Sequence, residues 1–219
     1  MAAPLGRLHL VTDVRRDRDP VAVVRAALSV GVPVVQVRVA DHVSDLGAYH
    51  FTTLIVELCR EAGATCLVND RLHIALATGA DGGHVGGDDL PVSAARRVLG
   101  PDAILGTTAH DAFTAQAAVA AGASYLSVSP AMLPEVAAAV SVPVIAIGSV
   151  TPEWIPDLMV AGAHGIAVAS AISDAADPGA AAASLLAALS HSGTVTPASA
   201  PATMFADTDE VARGGRRLD

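Results

Sequence analysis

Short runs rich in Val, Ile and Leu recur along the chain, at LHLVT (8–12), VPVVQVR (32–38), ATCLVN (64–69), GGHVG (82–86), AILGT (103–107), SYLSVS (124–129), VPVIAIG (142–148) and HGIAVAS (164–170). They are nearly continuous in apolar residues, the pattern of strands buried on both faces. Ala/Leu-rich stretches of helical character follow them, among them DPVAVVRAALSVG (19–31), SDLGAYHFTTLIVELCREAG (44–63), PVSAARRVLG (91–100) and DAFTAQAAVAAG (111–122). Strands that alternate with helices pair in parallel, and eight such units predict an α/β chain folded as a single (β/α)8 TIM barrel. Helix starts are marked by Asp19-Pro20, Ser44 and Thr151-Pro152, and helix ends by Gly31, Gly63, Gly100, Gly122 and Gly162.

Beyond about residue 190 the pattern stops. SGTVTPASAPATMFADTDEVARGGRRLD is rich in Ser, Thr, Pro and Gly with little apolar periodicity. The expected organisation is therefore a barrel domain over 1–190 and a disordered tail over 191–219, with exchange of the tail onto a neighbouring subunit as the alternative.

At 219 residues the chain suits one such barrel. Its mean hydropathy of +0.50 comes from Ala and Val spread among Gly, Pro and charges, and no run approaches the roughly 18 apolar residues that a membrane span needs. No charged segment, apolar segment and cleavage site opens the sequence, so a cytoplasmic protein is expected. The two cysteines, Cys59 in a helical pattern and Cys66 in a strand, lack metal-ligand spacing and read as buried reduced thiols. A net charge of −9 argues against nucleic acid, leaving a small molecule as the expected partner.

Chemistry in this fold collects at the C-terminal ends of the strands. Gln36 and Arg38 share one face of the second strand, where polar groups need a reason: a phosphorylated heterocycle, or an internal ion pair filling the barrel. The third strand ends in Asn69-Asp70, and Asp88-Asp89 follow the fourth. Neighbouring strands lie about 4.8 Å apart, so Asp70 and Asp89 can share one divalent cation, or each can cap a helix. GTTAH places Thr107, Thr108 and His110 at the mouth, where His110 is either a proton shuttle or a cap for the helix that starts at Asp111. His84 reads as a satisfied core residue. The small residues Gly148-Ser149 and Ala169-Ser170 end strands seven and eight, where this fold often binds phosphate.

LHLVTD, VVQVR, LVNDRLHIAL, GADGGHVGGDDLP, ILGTTAH, VPVIAIG and AGAHGIAVASAI resemble, in order, the signature segments of the thiamine phosphate synthase family, which includes the TenI-like thiazole tautomerases. The resemblance runs from about Leu8 to Ile172. It implies an enzyme of thiamine biosynthesis that joins 4-amino-5-hydroxymethyl-2-methylpyrimidine diphosphate to thiazole phosphate, releasing diphosphate with Mg²⁺ through a pyrimidine carbocation. It further implies that Gln36, Arg38 and Asn69 hold the pyrimidine diphosphate, that Asp70 and Asp89 are the metal ligands, and that Thr108 stands near the diphosphate. Gly148, Ser149, Ala169 and Ser170 match the thiazole phosphate loops. A homo-oligomer is also implied.

The chain departs from the family pattern on the diphosphate side. Ala40 stands where the synthases carry a lysine after Arg38, and Gly87 replaces the usual Gln before Asp88-Asp89. The loop after strand six is shortened to SVSPAMLPEV, Ser127 to Val136, with the loss of its threonines and lysine and of much of the following helix. Two alternatives accompany the synthase reading: a tautomerase that moves a proton with His110, and a paralogue that binds a phosphorylated heterocycle without turnover.

Overall fold

A computed structural model of the protein describes residues 5–12 and 19–192. The tail expected over 191–219 lies outside these residues from position 193 onward. In chain order the elements are β1 (Leu8–Val11), α1 (Pro20–Ser29), β2 (Val34–Val37), α2 (Asp45–Ala62), β3 (Thr65–Asn69), α3 (Leu72–Thr78), β4 (Gly82–Val85), α4 (Val92–Leu99), β5 (Ile104–Thr108), α5 (Ala112–Ala120) and β6 (Tyr125–Val128). A 3₁₀ turn at Pro130–Met132 leads into α6 (Leu133–Ala139), followed by β7 (Val144–Ile147), α7 (Ile155–Val160), β8 (Gly165–Val168), α8 (Ser170–Ser173) and α9 (Pro178–His191). All eight strands are parallel and close into a barrel as β8 pairs with β1, Leu8 opposite Ile166. This is the TIM barrel that the alternation predicts.

The strands are only four or five residues long, so each depends on its helix to cover its outer face. That outer layer joins Leu8, Leu10, Val35, Val37, Leu126 and Val128 to apolar residues of the surrounding helices. The opposite parity points into the barrel, where Val11, Val34, Leu67, Tyr125, Ile145 and Ala167 form a separate inner cluster. Cys59 and Cys66 are both buried free thiols, as their patterns predict.

Helix starts follow the expected chemistry at several points. The Ser44 hydroxyl accepts from Gly47 N–H at 3.2 Å, and Asp19 accepts from Val21 N–H at 2.9 Å. Asp111 and Thr114 form a reciprocal capping box on α5; such caps contribute about 1 kcal/mol each. Gly63 closes α2 with φ +69, a left-handed position that an L side chain resists. The part of the chain after β6 is more complete than its sequence suggests, because LPEVAAA forms α6 and lies against α5. No helix among the described residues is long and apolar enough to cross a membrane.

Candidate active site

The barrel mouth is built first from β1 and β2. Gln36 is buried on the inner parity of β2, whereas Arg38 falls one residue past the strand end and is exposed at the rim. The two residues, which share a face in the sequence pattern, thus sit at different depths in the barrel. The Arg38 backbone is held in place: its N–H donates to the Thr12 hydroxyl at 2.9 Å, and that hydroxyl donates to the Arg38 carbonyl at 2.9 Å. Thr12, the last residue of LHLVT, is a positioning group that strand periodicity gives no reason to single out.

Next to β2, the β3 ladder continues one residue past Asn69, as Asp70 N–H donates to the His84 carbonyl at 2.9 Å. Asp70 takes φ +61, the one positive φ outside glycine among the described residues. An L residue there costs about 1–2 kcal/mol, a conformation that persists only where surrounding contacts impose it. The Asp70 carboxyl lies near that of Asp89. Burial chiefly, then the hydrogen bond to Asp89 and its charge, push the Asp70 carboxyl up to about 7, with Asp41 adding and Arg38 opposing. Asp89 itself is oriented by Gly86 N–H, which donates to its Oδ2 at 2.7 Å.

Helix capping does not explain either carboxylate. The residue that opens α3 is Arg71 and the one that opens α4 is Pro91, and neither helix has a side-chain cap. Two neighbouring carboxyls at the mouth could instead offer hard oxygen donors to a cation. Among the described residues no group of three or more His, Cys, Asp or Glu side chains is placed to hold a metal. A pair of carboxylates completed by substrate oxygens and water suits Mg²⁺, which commonly takes one or two protein carboxylates.

Beneath the mouth runs a line of polar groups. Gln36 Nε2 donates to the Tyr125 hydroxyl at 3.4 Å, that oxygen lies 3.0 Å from His84 Nδ1, and His84 Nε2 lies 3.1 Å from Thr108 Oγ1. Burial holds His84 down to about 4, with Arg38 adding and Asp89 opposing, so the ring is neutral near pH 7. One proton arrangement gives every member a partner: Tyr125 donates to Nδ1, Nε2–H donates to Thr108, and the Thr108 hydroxyl hydrogen is left to donate elsewhere. Tyr125 is fully buried, and its ring occupies the space that a Cβ at Gly106 would need. His9 stands edge-on to Tyr125 with ring centroids 5.5 Å apart; burial pushes it down to about 3, and its Nδ1 has no partner. His84 is a satisfied core residue as the sequence suggests, yet it connects the core to a residue of the site. Tyr125 and His9 gave no motif signal, and the hint lay only in their strand parity.

On β5 the mouth is narrower than GTTAH implies. Thr107 is buried and donates its hydroxyl to the Val85 carbonyl at 2.9 Å, so it does not serve the mouth. Thr108 is half-buried, and His110 is exposed just past the strand. His110 does not cap α5, since Asp111 holds that position and accepts from Thr114 N–H at 2.7 Å. Gly148 and Ser149 lie exposed after β7, with Gly148 at φ +142. Ala169 and Ser170 lie where β8 gives way to α8. The small side chains at these four positions leave the backbone open to a ligand.

Three comparisons with known proteins bear on this site. The thiamine monophosphate synthase family matches residues 8–172. A thiamine-phosphate synthase of Salinispora arenicola is 60% identical over 203 residues, covering 84% of this chain and 98% of the relative. One from Chloroflexus aurantiacus is 42% identical over 202 residues, covering 84% and 93%. The solved structure of thiamine phosphate pyrophosphorylase from Pyrococcus furiosus superposes with a TM-score of 0.80 at 29% identity, over 85% of this chain and 96% of that one. With its closed barrel and its ordered motifs inside the matched span, the chain belongs to the thiamine monophosphate synthase family.

Proposed function

We propose that this chain is a thiamine-phosphate synthase, which joins hydroxymethylpyrimidine diphosphate to thiazole phosphate and releases diphosphate. The observation that carries the reading is the meeting of the Asp70 and Asp89 carboxyls beside Arg38 at the mouth of a barrel whose relatives bear that name. In this reading Asp70 and Asp89 hold Mg²⁺, which when bound neutralises charge on the diphosphate oxygens. Arg38 approaches the same oxygens with a fork suited to phosphate. Its backbone clamp on Thr12 fixes where that fork starts. Asn69 and Gln36 face the pyrimidine side, while Gly148, Ser149, Ala169 and Ser170 receive the thiazole phosphate.

The bond between the pyrimidine methylene carbon and the diphosphate oxygen breaks, and its electron pair leaves with the diphosphate. The thiazole nitrogen then gives its lone pair to the methylene carbon, forming the new C–N bond. Thr108 supports departure as a hydrogen-bond donor in the tautomer whose Nε2–H donates to its oxygen and leaves its own hydrogen free. A positioned donor of this kind is worth a factor on the order of 100 to 1000 in rate. The barrel over 1–190 is the catalytic domain in this account. The tautomerase and binding-only readings are not favoured, since the relatives bear the synthase name and the acid pair is kept.

The test is to supply both substrates with Mg²⁺ and read thiamine phosphate as thiochrome fluorescence alongside released diphosphate. Equal amounts of both products, abolished by EDTA, are expected. Diphosphate release without thiamine phosphate, or no release from folded protein, contradicts the proposal.

A further inference from the structure

Asp70 adopts its conformation under visible constraint. Arg71 N–H donates to the Asn69 carbonyl at 2.7 Å and Leu72 N–H donates to the Asp70 carbonyl at 2.9 Å, so two successive bonds each span a single residue. Such a turn centred on a residue of positive φ is a strained one. The bonds are local and set no relation between this turn and the rest of the mouth. That relation is made by the next side chain. Arg71 Nη2 donates to the Ala40 and Asp41 carbonyls, each at 3.3 Å, and Nη1 lies 3.1 Å from Asp45 Oδ1. The guanidinium therefore crosses from the turn that carries Asp70 to the loop between β2 and α2, two residues beyond Arg38.

The Arg71 side chain is 18% exposed and its partner Asp45 is 68% exposed, so the ion pair alone adds little to stability. The carbonyl contacts are what distinguish it. They brace the β2–α2 loop against the β3–α3 turn, while the Asp70 amide is tied to β4 through the His84 carbonyl. Three of its five N–H donors go to Asp45 and the two carbonyls, which turn the guanidinium toward the β2–α2 loop. We infer that Arg71 is a positioning residue, which spans the β2–α2 loop and the β3–α3 turn to hold Asp70 in the left-handed conformation that meets Asp89. The inference rests on the reading of Asp70 and Asp89 as the metal pair.

The probe is Mn²⁺ alone, followed by the loss of the free-ion spin-resonance signal on titration, with folding checked by circular dichroism. Arg71→Met keeps the aliphatic stem and removes the brace; its Mn²⁺ dissociation constant is expected to rise about 10- to 100-fold, as for other groups that orient metal ligands. The half-saturating Mg²⁺ concentration in the synthase assay should rise in parallel, with kcat at saturating Mg²⁺ changed less. Arg71→Lys, which can still reach one carbonyl, should recover part of the loss. Because Arg71 acts through Asp70, adding Arg71→Met to Asp70→Asn should weaken Mn²⁺ binding no further. Folded Arg71→Met that binds Mn²⁺ as tightly as wild type, or full additivity in the double variant, overturns the inference. If Arg71→Met fails to fold, the shorter, uncharged but polar Arg71→Gln takes its place with the same expected direction, and unchanged affinity there overturns the inference equally. Absence of Mn²⁺ binding by the wild type would instead remove the metal pair itself.

Discussion

His84 Nε2 lies 3.1 Å from Thr108 Oγ1, so a neutral, fully buried imidazole reaches the hydroxyl at the end of the next strand. Thr108→Val removes that hydroxyl and leaves His84 Nε2 without this partner. A loss of about 1–3 kcal/mol in stability is expected. Synthase kcat should fall on the order of 100-fold, while Thr108→Ser keeps most of both. Thermal melting together with kcat on the three proteins checks this, and full activity in Thr108→Val would remove the donor role.

Tyr125→Phe acts at the other end of the same line. It takes a partner from both Gln36 Nε2 and His84 Nδ1 while leaving the ring and its packing in place. A destabilisation of about 1–3 kcal/mol is expected by denaturant unfolding. A neutral result would mean that the buried polar line is not the network the distances indicate.

The Asp70 carboxyl, pushed up to about 7 by burial and by Asp89, gives the protein a definite pH dependence. Its folded value lies above its ordinary one, so the protonated form is the one the fold favours. The contribution is full at low pH and is lost as pH rises from about 4 through about 7. Melting temperature without divalent cation should therefore decline across that window on account of this group. Mg²⁺ should stabilise more at pH 8 than at pH 5, and Asp70→Asn should flatten both trends. An Mg²⁺ effect independent of pH would contradict the coupling.

Gly106→Ala places a methyl group where the Tyr125 ring sits, a clash at the centre of the barrel. Overpacking of this kind costs about 1–3 kcal/mol or more. Chemical denaturation should report the loss, and Gly106→Ala combined with Tyr125→Leu should recover part of it. A fully stable Gly106→Ala protein would contradict the packing described.

His110 stands outside the polar line, exposed just past β5, where its backbone N–H donates to the Thr114 hydroxyl at 3.4 Å. His110→Ala should leave synthase activity within about threefold of wild type, because a change away from the bonded groups alters little. Activity that vanished in His110→Ala while surviving EDTA would favour the proton-moving alternative.

The barrel was legible because buried parallel strands alternate with helices that need glycine to stop, and both habits leave marks in composition. The acid pair was legible as a possibility, since Asp70 and Asp89 each follow a strand. Setting helix capping aside needed the backbone, where α3 opens at Arg71 and α4 at Pro91, neither with a side-chain cap. Arg38 and Gln36 share a parity, but the strand ends between them, and hydrophobic pattern locates strand ends poorly. Tyr125, His9 and Thr12 carry no sequence signal because a polar group paired across the barrel interior depends on residues far away in sequence. The helix after β6 was underestimated because PAMLPEV opens with Pro130 and has Pro134 near the start of α6, where proline fits a first turn.

The most direct measurement is the rate of thiamine phosphate formation against Mg²⁺ concentration for the wild type and for Asp70→Asn/Asp89→Asn. A saturable Mg²⁺ dependence is expected in the wild type, with a double variant reduced by a factor on the order of 100 to 1000 and not restored by excess Mg²⁺. A double variant that folds and keeps both the wild-type rate and the wild-type Mg²⁺ dependence would contradict this expectation.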